Sequence, residues 1–542
     1  MPNVSAKGSL GMGLLALLWL GAGQGIPYLF DWDELIYASL ARQMLASGDP
    51  LALQINGEPF FEKPPLFFWL QALAMAALGV NEGAARLPNA CVGGITVALL
   101  VAWGARLRGV GFGCLWGSLL LTGYLPLFFY KTGLIDPLLN LGMGVGLGSL
   151  WAADEARRSG RSGQGWSALG ALALGLAVLA KGPVGLVLPL GIWALYKLWQ
   201  RDLPRRWGEM VIFLGLAAAI PLAWLALEAA ARGLQWAAAF WHYQWGLVTT
   251  PSGHPGPVYF HLLAFALGCF PWAAPALAGI LESIPRSGGL AASATDLTQR
   301  AERLLLVAFG VVLALFSLLV QTKLAHYTSL LYPIGAYFAA VRLQRLGSRE
   351  ARLSVWEGGW ILLSGLFWLA LWLLLPWLGS QDPALLLPVA EKRLAALGDL
   401  FESLSGSLAL GYLQAEVEWP FFTYGPALLL VLGGLAWFKA RPNGRGWAIL
   451  LLATGLSAQL AWCWVFPRVL QHTQGGSVHF FRQFAGPEPA LSGRVGLYGL
   501  RSFVPYFYGP LRVPYAANLE ELAAWQAQGQ LPDYLVSWDP FV

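Results

Sequence analysis

Residues 31–49 read DWDELIYASLARQMLASGD, and they follow an apolar run over 9–30 that is too long and too oily for a soluble helix. An apolar run of roughly 18 or more residues is a candidate membrane span. Asp31, Asp33 and Glu34 therefore place carboxylates at the mouth of a span. After them Leu35, Ile36, Leu40, Met44 and Leu45 make a stripe at helical spacing. Gly48-Asp49-Pro50 then supplies a stop. The stretch predicts an amphipathic helix over 33–47 outside the membrane.

The rest of the chain is membranous. Of 542 residues, 57% are hydrophobic and 12% charged, with a mean hydropathy of +0.57. A soluble domain carries about 25% charged residues, so an ordinary soluble protein is excluded. Further apolar runs fall near 86–105, 110–128, 133–152, 166–180, 182–198, 208–231, 257–281, 301–320, 326–341, 357–378, 421–437 and 446–467. Together they predict a polytopic all-α membrane protein with about thirteen spans. Lys181-Gly182-Pro183 leaves open whether its two flanking runs are separate spans or one kinked helix. The run after Lys7 reads as a retained first span, because the chain stays membranous beyond it. The 27 tryptophans suit membrane interfaces. Cys91, Cys114, Cys269 and Cys463 all lie in apolar runs, which reads as small buried hydrophobes rather than disulfides or a metal site.

Charge sets the orientation. With a cytoplasmic N-terminus, alternate loops hold Arg106 and Arg108; Arg157, Arg158 and Arg161; Lys197, Arg201, Arg205 and Arg206; Arg342, Arg345, Arg349 and Arg352; and Lys439, Arg441 and Arg445. All strongly basic short loops then share one side, as the positive-inside rule requires. The net charge of +5 is accounted for there, which argues against a nucleic-acid partner. The other side carries the loop 31–85, with a second short interfacial helix from Pro65 to about Leu78. It also carries the junction around Lys131 to Asp136, the aromatic stretch 232–256, the acidic stretch 379–420 and the tail. In the tail, RVGLYGL and DYLVSW read as strands and NLEELAAWQAQGQ as a helix capped by Asn518. The expected organisation is a membrane domain over 1–467 and a small outer α/β domain over 468–542.

Several residues on that outer side stand out. Asp31 and Glu34 read as solvated helix-start acids, favourable to the helix dipole. Asp33 admits the same reading, or a role in chemistry. In FFEKPPLFFW, residues 60–69, Glu62 and Lys63 are charges set in an aromatic run and stiffened by two prolines. Lys63 suits a lipid phosphate, or it snorkels beside its neighbouring acid. Asp136, in YKTGLIDP, is an ionisable residue at membrane depth or a helix-start acid. His242, in AFWHYQWGL, is a metal ligand with Glu62 as a distant partner, or a hydrogen-bonded structural residue. The absence of local His spacing gives zinc little support. His254 and His261 follow it. Lys181 and Lys323 add to Lys63 and Lys131, so four lysines share one rim with the acids. That pattern fits a site that holds an anionic lipid phosphate beside a general base.

DELIYASLARQML, INGEPFFEKPPLFFW, LAKGPVGLVLP and KLAHYTSLLYP, in that order, resemble the superfamily of aminoarabinose transferases and protein O-mannosyltransferases, most closely its bacterial aminoarabinose transferase branch. The resemblance covers most of residues 20–340. It implies a GT-C fold, in a bacterial inner-membrane enzyme with its active site on the periplasmic side. It further implies transfer of an aminoarabinose-like or other sugar from a polyprenyl-phosphate carrier to a lipid A-like glycolipid or a protein. By the same resemblance Asp33 is the catalytic aspartate, and Asp136 a second acid near the site. Lys63 contacts carrier phosphate, Glu62 and His242 bind a divalent metal such as zinc, and Tyr37 and Tyr327 line the donor site. One departure is that the family often reads Asp-Glu-x-Arg-Tyr, where this chain has Ile36 in place of the Arg.

The chemistry also follows from the residues. A glycosyl phosphate carries a leaving group that cations can neutralise, here Lys63 with Lys323 or Lys181. The acceptor hydroxyl needs one base, and Asp33 is the best placed. A secondary transporter or lipid flippase is the competing reading, suited by many spans and by Asp136. Against it, no inverted repeat is evident and the charges gather on one side rather than at the midplane.

Overall fold

The computed structural model describes residues 6–202, 207–249, 256–284, 296–381, 417–440, 444–483, 495–498 and 502–537. The sequence-predicted features at His254, Arg205, Arg206 and Arg441, and residues 382–416 of the acidic stretch, lie outside the described residues.

After α1 (Ala6–Gly21), the first outer loop holds α2 (Asp33–Ser47), a hairpin of β1 (Gln54–Ile55) and β2 (Glu58–Pro59), and α3 (Leu66–Leu78). The bundle continues with α4 (Glu82–Arg108), α5 (Val110–Thr122), α6 (Tyr124–Lys131), α7 (Asp136–Arg158), α8 (Gln164–Lys181), α9 (Val184–Trp199), α10 (Trp207–Arg232) and α11 (Leu234–Thr249). Next come α12 (Phe260–Gly268), α13 (Ala273–Ser283), α14 (Leu297–Ala314), α15 (Leu331–Gly347) and α16 (Val355–Gly379). A helix over Gly425–Ala440 precedes a continuous one over Gly444–Arg482, which passes through a π-turn at Ala461–Val465.

The expected helix over 33–47 forms, and Gly48 ends it in the left-handed conformation at φ 68. Lys181-Gly182-Pro183 separates two helices, α8 and α9, rather than kinking one. Among the described residues seven helices are long and apolar enough to cross a membrane, and up to nine if each of two bent pairs, α5 with α6 and α12 with α13, is one span. The expected count of about thirteen is therefore not reached on length and apolarity. Three further apolar helices, Lys7–Gly21, Leu66–Leu78 and Val184–Trp199, are shorter.

Two layers of charge frame the bundle. On one side Arg108 pairs with Glu302, Arg158 and Lys197 with Asp154 and Asp202, Arg300 with Glu155, Arg157 with Glu209, and Arg342 with Glu282 and Glu357. Tyr337 on α15 donates to Glu302 (3.0 Å), which links the pairs of α13, α15 and α16 to the rest. Basic residues of four separate loops thus meet in one belt, on the side that the loop charges assign to the cytoplasm. Between the layers the core is aromatic. Tyr124 stacks on Trp368 at 3.9 Å, its hydroxyl lies 2.6 Å from Ser457 Oγ, and Trp372 donates to it at 3.0 Å. Tryptophans therefore serve the interior as well as the interfaces, and Trp116 and Trp372 donate their indole N–H groups to buried acceptors. The cysteines are free, and Cys269 is buried, but Cys91 faces outward.

Beyond Arg482, Val495–Tyr498 is the central strand of a three-stranded parallel sheet, flanked by Tyr515–Ala516 and Tyr534–Ser537. The helix Leu519–Ala527 crosses over it, and its N-cap Asn518 accepts from the Glu521 N–H.

Candidate functional site

The first outer loop is built around a buried acid. Glu34 is not a solvated helix-start residue, because Arg86 of α4 grips it with two bonds, Nε to Oε1 at 2.7 Å and Nη2 to Oε2 at 2.8 Å. Both side chains are buried, and Arg86 also donates to the carbonyls of Gln24, Pro27 and Tyr28. Glu34 in turn accepts from the backbone N–H groups of Phe30 and Gly133. Such a pair persists only when its remaining polar positions are satisfied, as they are here. Asp31 likewise is not merely solvated: it accepts from the Ser502 hydroxyl and the Phe503 N–H.

These contacts bring Asp33 and Asp136 together. Glu34 adjoins Asp33 and holds Gly133, three residues before Asp136. Asn89 donates to the Thr132 and Leu134 carbonyls at 2.6 and 2.7 Å, fixing the same turn. Asp136 opens α7 and is buried, and Lys181, at the last turn of α8, reaches it at 2.6 Å. The Lys181 ammonium also lies 5.2 Å from the Tyr327 ring centre. Asp33 opens α2 after Trp32, whose backbone stands at φ 131. Non-glycine residues rarely adopt that conformation, and strain of this kind collects at functional sites. Among the described residues no hydrogen bond or ion pair engages the Asp33 carboxylate, and it is half-buried. Burial pushes its carboxyl above the ordinary range; His326 and Lys181 pull it down, and Glu62 and Asp136 push it up.

Lys63 and Glu62 form a pair of chain neighbours at 2.7 Å. Lys63 lies within electrostatic range of Asp136 and His326. Tyr37, one helical turn after Asp33, is buried against Phe67 and Phe68. Asp136, Lys181, Tyr327 and Asn140 line a cavity of about 180 Å³ together with Leu139 and Met143 of α7, Val184 and Leu188 of α9, and Phe316. A largely apolar cavity with a few charged and polar groups in its lining suits a ligand with a charged head and an oily tail.

Two lysines are placed otherwise than the sequence suggests. Lys131 is not brought into the cluster: it is buried and donates to the Leu20 and Ala22 carbonyls at 3.0 and 2.6 Å, closing the end of α1. Lys323 stands nearby but donates to the carbonyls of Phe316, Ser317 and Val320 (2.9, 2.9 and 2.6 Å). Orphan carbonyls at a helix end attract a cation, and both lysines meet that need. His326 joins the cluster although KLAHYTSLLYP, where it lies between Lys323 and Tyr327, carries no local signal that marks it. Its short helical turn is fixed by Asn140, which donates to Ser329 (2.8 Å), which donates to the His326 carbonyl (2.6 Å).

The metal expectation finds no matching donor set. His242 is exposed, the Glu62 carboxylate is paired with Lys63, and among the described residues no three His, Cys, Asp or Glu side chains converge.

The folding class is that of the GT-C membrane glycosyltransferases. The crystal structure of ArnT from Cupriavidus metallidurans bound to undecaprenyl phosphate superposes with a TM-score of 0.69 at 20% identity, covering 99% of this chain and 91% of that one. Residues 30–244 match the family model described as dolichyl-phosphate-mannose-protein mannosyltransferase. An undecaprenyl phosphate-alpha-4-amino-4-deoxy-L-arabinose arabinosyl transferase of Pseudomonas fluorescens is 27% identical over 59% of this chain and 53% of its own. That of Pseudomonas paraeruginosa is 28% identical over 62% and 60%. The chain thus matches a little over half the length of these curated relatives. Over these stretches the chain is similar to aminoarabinose transferases and protein O-mannosyltransferases, and its fold is that of a polytopic membrane protein.

Proposed function

We propose that this protein transfers a sugar from a polyprenyl-phosphate carrier to a hydroxyl of a glycolipid or protein acceptor. The active site would face the periplasm, with residues 1–467 as the membrane domain and 468–542 as the outer one. The observation that carries the reading is an unpaired, half-buried Asp33 that feels the charges of His326, Lys181, Glu62 and Asp136, with a largely apolar cavity beside Asp136 and Lys181.

In this reading the acceptor oxygen attacks the anomeric carbon as its proton passes to Asp33. The bond from that carbon to the phosphate oxygen breaks, and polyprenyl phosphate leaves. Lys63 and Lys181 neutralise the charge that grows on the departing phosphate, while Asp136 orients Lys181. Tyr37 and Tyr327 line the donor pocket. One displacement inverts the anomeric centre, and no second carboxylate is required as nucleophile.

The test is transfer from labelled polyprenyl-phosphate sugars by purified protein, wild type beside Asp33→Asn. The expected result is label in an acceptor fraction with inverted configuration, and a loss of about 100-fold or more in the variant. Equal transfer by both proteins would remove Asp33 as base; a retained configuration would reject the single displacement.

A further inference from the structure

α11 lies across the segment that carries Glu62 and Lys63. The Gln244 side-chain N–H₂ donates to the Phe61 carbonyl at 2.8 Å and to the Glu62 carbonyl at 3.0 Å. Its amide oxygen looks toward Gly182, the residue after Lys181: a Cβ there would stand 3.6 Å from it. One half-buried amide thus sits between the two junctions that carry Lys63 and Lys181. Around it the clamp is apolar, with Phe61 packed on Trp236 (5.5 Å) and Tyr243 (6.5 Å) of the same helix. Two neighbouring carbonyls need two N–H donors, and a side-chain amide supplies both while keeping an acceptor for the other side.

We infer that Gln244 is a positioning residue for the donor phosphate. By pinning the carbonyls of Phe61 and Glu62 it fixes where Lys63 emerges, and so sets the gap between Lys63 and Lys181 in which the phosphate is held. Gln244 itself touches neither sugar nor phosphate. The inference rests on the polyprenyl-phosphate reading above and deepens it.

The experiment measures binding of undecaprenyl phosphate to the purified full-length chain for wild type, Gln244→Ala, Gln244→Glu and Lys63→Met. Gln244→Ala is expected to bind roughly tenfold more weakly than wild type at every pH, having lost two donors. Gln244→Glu offers no donor when ionised and one when neutral. Its affinity relative to wild type is therefore expected to be poor near pH 8 and to recover as pH falls toward about 5. A general loss of packing would lower affinity without that pH dependence. Binding by Gln244→Ala within about twofold of wild type, or a flat Gln244→Glu ratio across pH, would overturn the inference. Failure of the wild type to bind, or equal binding by wild type and Lys63→Met, would instead sink the donor reading, and the role of Gln244 with it.

Discussion

At the scale of single residues, two neighbouring acids on one helix have opposite fates. Glu34 is sealed by Arg86 and holds the loop; Asp33 is left unpaired and points its charge at the cluster. The sequence DWDELIYA does not distinguish them, because what separates them is Arg86, far along the chain on α4. The titration of Asp33 gives a test with a definite sign. Burial raises its carboxyl above the ordinary carboxylate range, and the negative charges of Glu62 and Asp136 raise it further. A base must be ionised to work, so the acid limb of kcat/KM is expected above the ordinary carboxylate range. Glu62→Gln removes a negative neighbour and should move that limb to lower pH. Lys181→Met removes a positive one and should move it to higher pH, at a reduced maximum rate. Shifts in the opposite directions, read from pH–rate profiles, would show that the limb belongs to another group.

At the scale of elements, the legible parts of the fold were those written in local pattern. The stripe Leu35, Ile36, Leu40 and Met44 with its Gly48 stop located α2 to the residue, and Asn518 announced the helix of the tail. Span number was less legible, because a helix such as α9 has only 16 residues and α7 carries charge at both ends. Packing against neighbours supplies what their length and apolarity do not. The sites of Lys131 and Lys323 were illegible for a related reason: rim lysines look alike in sequence, and only the fold reveals which ones face open helix ends. The break between α8 and α9 is the element-level feature that most directly sets the site, since it aims Lys181. It depends on Gly185, where a Cβ would lie 2.5 Å from the Ala177 carbonyl carbon and 2.7 Å from its oxygen. Backbone cannot yield as a flexible side chain can, so Gly185→Ala is expected to cost about 1–3 kcal/mol. Thermal unfolding in detergent would measure it, and an unchanged midpoint would mean that the two helices separate without penalty.

At the scale of the whole molecule, the tail beyond Arg482 is tied to the loop between α1 and α4 by several hydrogen bonds. Arg42 of α2 donates from one nitrogen to the carbonyls of Tyr506, Phe507 and Gly509 at 2.9, 3.1 and 2.8 Å. Asn56 exchanges two bonds with Val513, at 2.9 and 2.7 Å, and the Leu29 N–H donates to the Tyr508 hydroxyl at 2.9 Å. With Asp31 bound to Ser502 and Phe503, these ties fasten the loop before and after Asp33 to the tail. The membrane helices hold Asp136 and Lys181 from below, while the tail holds α2 from above, so Asp33 is positioned from both sides. Arg42 is the strongest of the upper ties, since a cation at the end of the short helix Val504–Tyr508 satisfies open carbonyls and opposes its dipole. Hydrogen bonds to a charged group contribute about 1.5–3 kcal/mol. Arg42→Met should therefore leave the spans inserted but loosen the tail, with faster proteolysis within residues 502–537 and transfer reduced about tenfold. Arg42→Lys keeps the charge with a smaller reach and should fall between the two. Unchanged proteolysis together with unchanged transfer in Arg42→Met would mean that the tail does not help to place Asp33, and that the membrane helices alone suffice.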